Sequence, residues 1–83
     1  MIYPMELNKA ISRRLNELLT ERNMTMYKLY TRTGLAKSTI SHIMSCSHIS
    51  VTMKTIHIIC QGLDIELSEF FNSPLFDNEN LDP

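Results

Sequence analysis

Apolar residues along this chain recur at helical rather than alternating intervals. Leu7, Ile11, Leu15, Leu18 and Leu19 fall mostly three or four apart, with Arg13, Arg14, Glu17 and Glu21 on other faces. That spacing predicts a first core helix. Thr25 precedes the next segment and can cap it, although Lys28 at the third helical position cannot complete a capping box as Glu or Gln would. Between Met24 and Met44 a lone Gly34 separates two short apolar-periodic segments, with Leu29 before it and Ile40 after it. The pattern predicts a helix, a tight turn and a second helix, packed at a steep angle through Leu29, Leu35, Ile40 and Ile43. Lys37, Ser38, Thr39, Ser41 and His42 are then left on the outer side of the second helix. Thr52 can cap a fourth helix, in which Ile56, Ile59, Cys60 and Leu63 follow i, i+3, i+4, i+7 and Gly62 lies near the end. Leu67, Phe70 and Phe71 form one more short apolar turn. With 2 Gly, 3 Pro and no alternating run between turn signals, no sheet is expected.

After Phe71 the run NSPLFDNENLDP loses periodicity, gains acids and contains two prolines. It predicts an acidic C-terminal tail over residues 74–83, following a single domain over residues 1–73. The end of the tail should be mobile or ordered by a partner. Leu75 and Phe76 can fold back on the domain or cover a dimer interface, and Ile2 and Tyr3 before Pro4 pose the same question. Of the 6 Met residues, Met24, Met44 and Met53 fall where helices begin or end and suit irregular gaps in a core.

The 83 residues are 43% hydrophobic, enough for one small helical core without disulfides. Cys46 and Cys60 show no CxxC or Cys/His ligand spacing, and no signal peptide or long apolar run is visible, which argues for the reducing cytoplasm and against a membrane. Cys60 lies on an apolar helix face and reads as a buried thiol. His48 and His57 have no partner at a metal-binding interval, so neither a metal nor another cofactor is expected. No Ser/His/Asp set, glycine-rich phosphate loop or paired acids in a cleft points to an enzyme.

The formal net charge of -1 at first opposes nucleic-acid binding. Its distribution reverses that inference. All 8 Lys and Arg precede residue 61, accompanied only by Glu6, Glu17 and Glu21, whereas Asp64, Glu66, Glu69, Asp77, Glu79 and Asp82 follow. Such a split can place a basic face on DNA and an acidic end away from it.

The runs GLAKSTISHI and KTIHIICQGL and the closing LSEFF, taken together, resemble the Cro/C1-type (XRE-type) helix-turn-helix family of phage-like and bacterial repressors, over roughly Glu6 to Phe71. The resemblance implies an all-α, compact five-helix bundle containing a helix-turn-helix, the lambda-repressor-like DNA-binding fold. The chain departs from the family pattern at several positions. Met26 replaces a Gln that helps clamp a DNA phosphate. Tyr30 replaces a small Ala, and Ala36 replaces a capping Ser at a cost of about 1 kcal/mol. Cys46 and Ser50 replace a Gly and a Pro in the following loop.

The resemblance implies that Lys37, Ser38, Ser41 and His42 read bases from the major groove. Thr39 can donate, accept, or touch a thymine methyl. Thr25, Tyr27, Ser45, Ser47 and Lys54 frame that helix and are candidates for phosphate contacts, which set orientation while bases set specificity. Gly34 is assigned to the turn, for positive φ or close helix approach. The expected function is a sequence-specific transcriptional regulator, a repressor, acting on double-stranded DNA as a homodimer on a two-fold operator. The alternative is a protein-binding module or antitoxin-like partner protein on the same fold, with Ile49, Val51, Ile58 or the C-terminal tail as its contact.

Overall fold

The computed structural model describes residues 5–45 and 51–82. Among them the chain forms α1 (Leu7–Glu21), α2 (Met26–Thr33), α3 (Lys37–Met44), α4 (Met53–Leu63) and α5 (Leu67–Phe70), then two 3-10 turns at Pro74–Phe76 and Asn78–Asn80. No strand occurs among the described residues; a single isolated bridge pairs Met5 with Leu81. The all-α expectation holds. Ile2, Tyr3 and Pro4, and the loop residues Cys46, Ser47, His48, Ile49 and Ser50, lie outside the described residues.

Local chemistry sets the helix ends. Asn23 adopts a positive φ of 51°, and α1 ends at Glu21. The Thr25 hydroxyl accepts from the Lys28 N–H at 3.1 Å and the Thr52 hydroxyl from the Thr55 N–H at 3.2 Å, each satisfying a donor at the start of a helix. Gly34 ends α2 in the left-handed region at φ 75°, its N–H donating to the Tyr30 carbonyl at 3.0 Å. Helix α4 closes on Asp64, also left-handed at φ 59°.

The core combines Ile11, Leu15, Leu18 and Leu19 of α1 with Leu29, Ile40, Ile43, Ile56, Ile59, Cys60, Leu63 and Phe70. Two apolar expectations fail at helix beginnings. Leu7 is 51% exposed and Met53 57% exposed, because a first-turn side chain projects past the framework that would cover it. Met24 and Met44 do pack against the core.

The two glycines have different reasons. A Cβ at Gly34 would meet nothing within 4 Å, so the turn needs its backbone angle, not its small size. Close helix approach occurs instead at Gly62, where a Cβ would stand 2.5 Å from the Thr33 methyl carbon. Gly62 is therefore the point at which α4 closes on α2, rather than a glycine merely tolerated near a helix end.

Of the two outcomes open for Leu75 and Phe76, the chain takes the first and folds them back on the domain. Ser73 caps the first 3-10 turn by accepting from the Leu75 N–H at 3.2 Å, and Leu75 is buried against Met5 and Ala10. Beyond it, the Met5 N–H donates to the Asn80 carbonyl at 3.1 Å and the Asp82 N–H to the Met5 carbonyl at 2.9 Å. Two backbone bonds and one buried leucine hold residues 74–82 back along the start of α1. Phe76 adds edge contact to Phe71, with ring centroids 4.9 Å apart.

Arg14 supplies a long-range helix cap. Its Nε donates to the Phe70 carbonyl and its Nη2 to the Glu69 carbonyl, both at 2.8 Å, while Arg22 pairs with the Glu69 carboxylate at 3.2 Å. The two Arg14 bonds satisfy the Phe70 carbonyl and add a second donor to the Glu69 carbonyl, which also accepts from the Asn72 N–H at 3.3 Å.

Burial, followed by the nearby Glu66 and Glu69 charges, pushes the Cys60 thiol up from 9.0 to about 11. The folded state thus favours the protonated thiol. Below pH 9 this contribution is fully present; as pH rises from 9 toward 11 the unfolded chain releases a proton that the folded chain keeps, and stability falls. Urea unfolding at pH 8.5 and pH 10.5, roughly the ends of that window, should show a steeper decline for the natural chain than for Cys60→Ala.

Denaturant titration also separates the glycines. Gly34→Ala should lose about 1 kcal/mol, Gly34→Val more and Gly34→Asn less, following the preference for the left-handed region. Gly62→Ala should lose roughly 1–3 kcal/mol through overpacking despite alanine's better helix propensity. Combining it with Thr33→Ser, which removes the opposing methyl, should recover most of that loss; equal losses in both backgrounds would refute the close-approach role.

Candidate nucleic-acid interface

Helix α3 has only eight residues and is held by what it buries. Ile40 and Ile43 enter the core, and Leu35 in the preceding turn packs against it. At about 100° per residue, the side opposite the two isoleucines carries Ser38, with Ser41 and His42 flanking it. Lys37, Ser38 and His42 are exposed, while Ser41 and Thr39 are half-buried. Thr39 lies about 40° beyond Ile43 around the helix, so it sits on the flank rather than among the fully outward residues. Ser38, Ser41 and His42 thus share the outward side, with the exposed Lys37 at one edge and the half-buried Thr39 at the other.

The start of α3 has no side-chain cap, because Ala36 offers no oxygen. Thr33 stabilises the turn instead, its hydroxyl accepting from the Leu35 N–H at 3.2 Å. At the other end, the Ser45 hydroxyl donates to the His42 carbonyl at 3.4 Å, and the buried Ser12 of α1 donates to the Met44 carbonyl at 2.9 Å. Ser12 was not among the residues singled out by sequence. The available signal was a hydroxyl at the flank of the apolar stripe of α1, beside Leu19.

The candidate phosphate contacts occupy several elements. Thr25 is exposed at the start of α2, with its hydroxyl already accepting from Lys28. Tyr27 is 66% exposed and meets Tyr30 edge-on at 5.2 Å, which places the bulk of Tyr30 partly against the core and partly against its aromatic neighbour. Lys54 is exposed in the first turn of α4, and Ser45 is exposed just after α3. Ser47 lies outside the described residues. An open groove lined by Asn16, Asn23, Thr25, Met26 and Met44 joins the end of α1, the start of α2 and the end of α3. Met26 contributes apolar surface there, where a glutamine would offer an amide.

The expected basic half needs one correction. Arg14 and Arg22 are engaged by α5, leaving Lys9, Arg13, Lys28, Arg32, Lys37 and Lys54 as exposed cations outside that clamp. A separate cleft beside α4 and α5 is lined by His57, Gln61, Asp64, Glu66 and Glu69, and its carboxylates repel phosphate. Among the described residues, no group of three or more His, Cys, Asp or Glu is placed to hold a metal, and no helix is long and apolar enough to cross a membrane.

The chain is similar to known proteins over most of its length. A family model described as a Cro/C1-type HTH DNA-binding domain matches residues 14–74. The prophage Lp1 protein 11 is 30% identical with a TM-score of 0.76, the match covering 84% of this chain and 92% of that one. The restriction-modification controller protein C.Esp1396I, solved as a tetramer with its natural 35 base-pair operator, is 28% identical with a TM-score of 0.73, over 78% of this chain and 84% of its own. Another controller protein, C.AhdI from Aeromonas hydrophila, is 27% identical with a TM-score of 0.67, over 75% of this chain and 92% of its own. No curated protein matches the sequence. The family match and the exposed side of α3 lead to one assignment: the chain belongs to the Cro/C1-type helix-turn-helix DNA-binding domains.

Proposed function

We propose that this protein is a transcriptional repressor that sets α3 into the major groove and acts as a homodimer on a two-fold operator. The observation that carries the reading is the division of α3, with Ile40 and Ile43 buried while Lys37, Ser38 and His42 stay accessible. Lys37 donates to guanine O6 or N7, and Ser38, Ser41 and His42 supply shorter polar groups over the next turn. Thr39, at the edge, contributes its methyl or a phosphate contact. Thr25, Tyr27, Ser45, Ser47 and Lys54 bind the backbone and fix the approach.

Pairing follows from size. One eight-residue helix reaches few base pairs, whereas two copies on half-sites about 34 Å apart double the readout. The operator-bound tetramer of C.Esp1396I supports assembly on DNA as the mode of action. Of the contacts considered for the protein-binding alternative, Leu75 in the C-terminal segment is buried and Val51 and Ile58 are half-buried, while Ile49 lies outside the described residues.

Selection from random DNA should yield a palindromic site. On that site, affinity should fall steeply between roughly 50 and 200 mM salt, because phosphate neutralisation releases counterions. Lys37→Ala combined with Ser38→Ala should weaken binding by about tenfold or more. Binding that is absent, or insensitive to salt, would overturn the proposal.

A further inference from the structure

The reading helix is anchored unevenly. Its start follows a turn that offers no side-chain cap, and its middle is held by Ile40 and Ile43, whose apolar contacts fix its depth but have no direction. Its end has a directional restraint, the 2.9 Å bond from the Ser12 hydroxyl to the Met44 carbonyl. Ser12 is only 6% exposed and sits in the middle of α1, the longest helix described. The Asn16 side-chain amide in turn donates to the Ser12 carbonyl at 2.9 Å, reinforcing the turn of α1 from which the bond is made.

We infer that Ser12 is a positioning residue for sequence readout: it fixes the tilt of α3 and so governs how well the protein distinguishes its operator from other DNA. This inference rests on α3 being the DNA-reading helix. A hydrogen bond is directional where apolar packing is not, and it acts here one turn from Ser41 and two residues from His42. Without it, α3 remains buried through its isoleucines but can rock about them. Base contacts depend on orientation at the level of single hydrogen bonds, whereas contacts to phosphate from flexible side chains tolerate small rotations. Loss of the tether therefore reduces discrimination more than general attachment to DNA. Stability is a poor reporter of this role, because alanine's higher helix propensity offsets part of the lost bond.

The test compares natural protein, Ser12→Ala and Ser12→Thr on the selected operator and on a scrambled duplex of equal length. Ser12→Ala should lose roughly fivefold affinity for the operator, about the worth of one hydrogen bond, with little change on the scrambled duplex and an unchanged salt slope. Ser12→Thr, which keeps the hydroxyl, should restore the preference. Equal weakening on both duplexes, or no weakening, would overturn the inference. A DNA-free measurement separates its failure from failure of the underlying reading: residual dipolar couplings should show α3 reoriented relative to α1 in Ser12→Ala and not in Ser12→Thr. An unmoved α3 would refute the positioning role even if the natural protein binds its operator; reorientation in a protein that shows no sequence preference would remove the DNA-reading role of α3 and leave Ser12 as its anchor.

Discussion

An eight-residue helix does not persist alone in water, so the outer side of α3 exists only because its inner side is buried. Ile40 and Ile43 are the constraint on which the site depends. Full burial of each contributes roughly 1.5–3 kcal/mol, enough to offset a weak nucleus but not to fix every degree of freedom. The surrounding helices supply the rest. Helix α1 packs beside α3, α2 meets it across the Gly34 turn, and α4 supports α2 through the close approach at Gly62. Substitution at Gly62 is thus two contacts removed from the polar side of α3, yet acts on the same framework.

Charge follows a similar division between construction and recognition. Arg14 holds two carbonyls at the end of α5 and Arg22 pairs with Glu69, so part of the positive charge helps assemble the fold. The Arg22 pair is exposed, and pairs of that kind contribute little to stability. Arg14 matters more because it satisfies two backbone acceptors with one planar group. What remains exposed is a modest set of cations and several hydroxyls. If α3 is the DNA-reading helix proposed above, such a surface relies on placement of short polar side chains as well as on charge, which makes the orientation of α3 consequential.

The helices were legible because each has a strong apolar period, and Gly34 was legible because a glycine between two such periods marks a turn. The reason for Gly62 was hidden, since sequence spacing does not state which neighbouring helix will come within reach of a missing Cβ. The Arg14 cap was hidden for the same reason: its partners are carbonyls 55 and 56 residues away, and any residue presents a carbonyl. Leu7 and Met53 were misread because periodicity identifies a face but not whether another element extends far enough to cover its end. Residues 74–82 lacked periodicity altogether, although Ser73 followed by Pro74 held a readable signal for a capped turn. On α3 the outward residues were visible from spacing, and the half-burial of Thr39 follows from its place about 40° from Ile43 around the helix.

Helix α1 connects these observations. Ser12 and Arg14 are two positions apart, so their side chains leave the helix about 200° from one another, on the two flanks of the apolar stripe formed by Ile11, Leu15 and Leu18. One donates to the final carbonyl of α3, the other to carbonyls ending α5. A single rigid helix thereby sets α3 and α5 on opposite flanks of one core. Residues 74–82 close along the start of that same helix, through Leu75 and the backbone bonds to Met5. The acidic C-terminal portion is consequently secured by α1 without direct attachment to the outward side of α3. On α3, Lys37, Ser38 and His42 stay exposed in a chain whose formal net charge is -1.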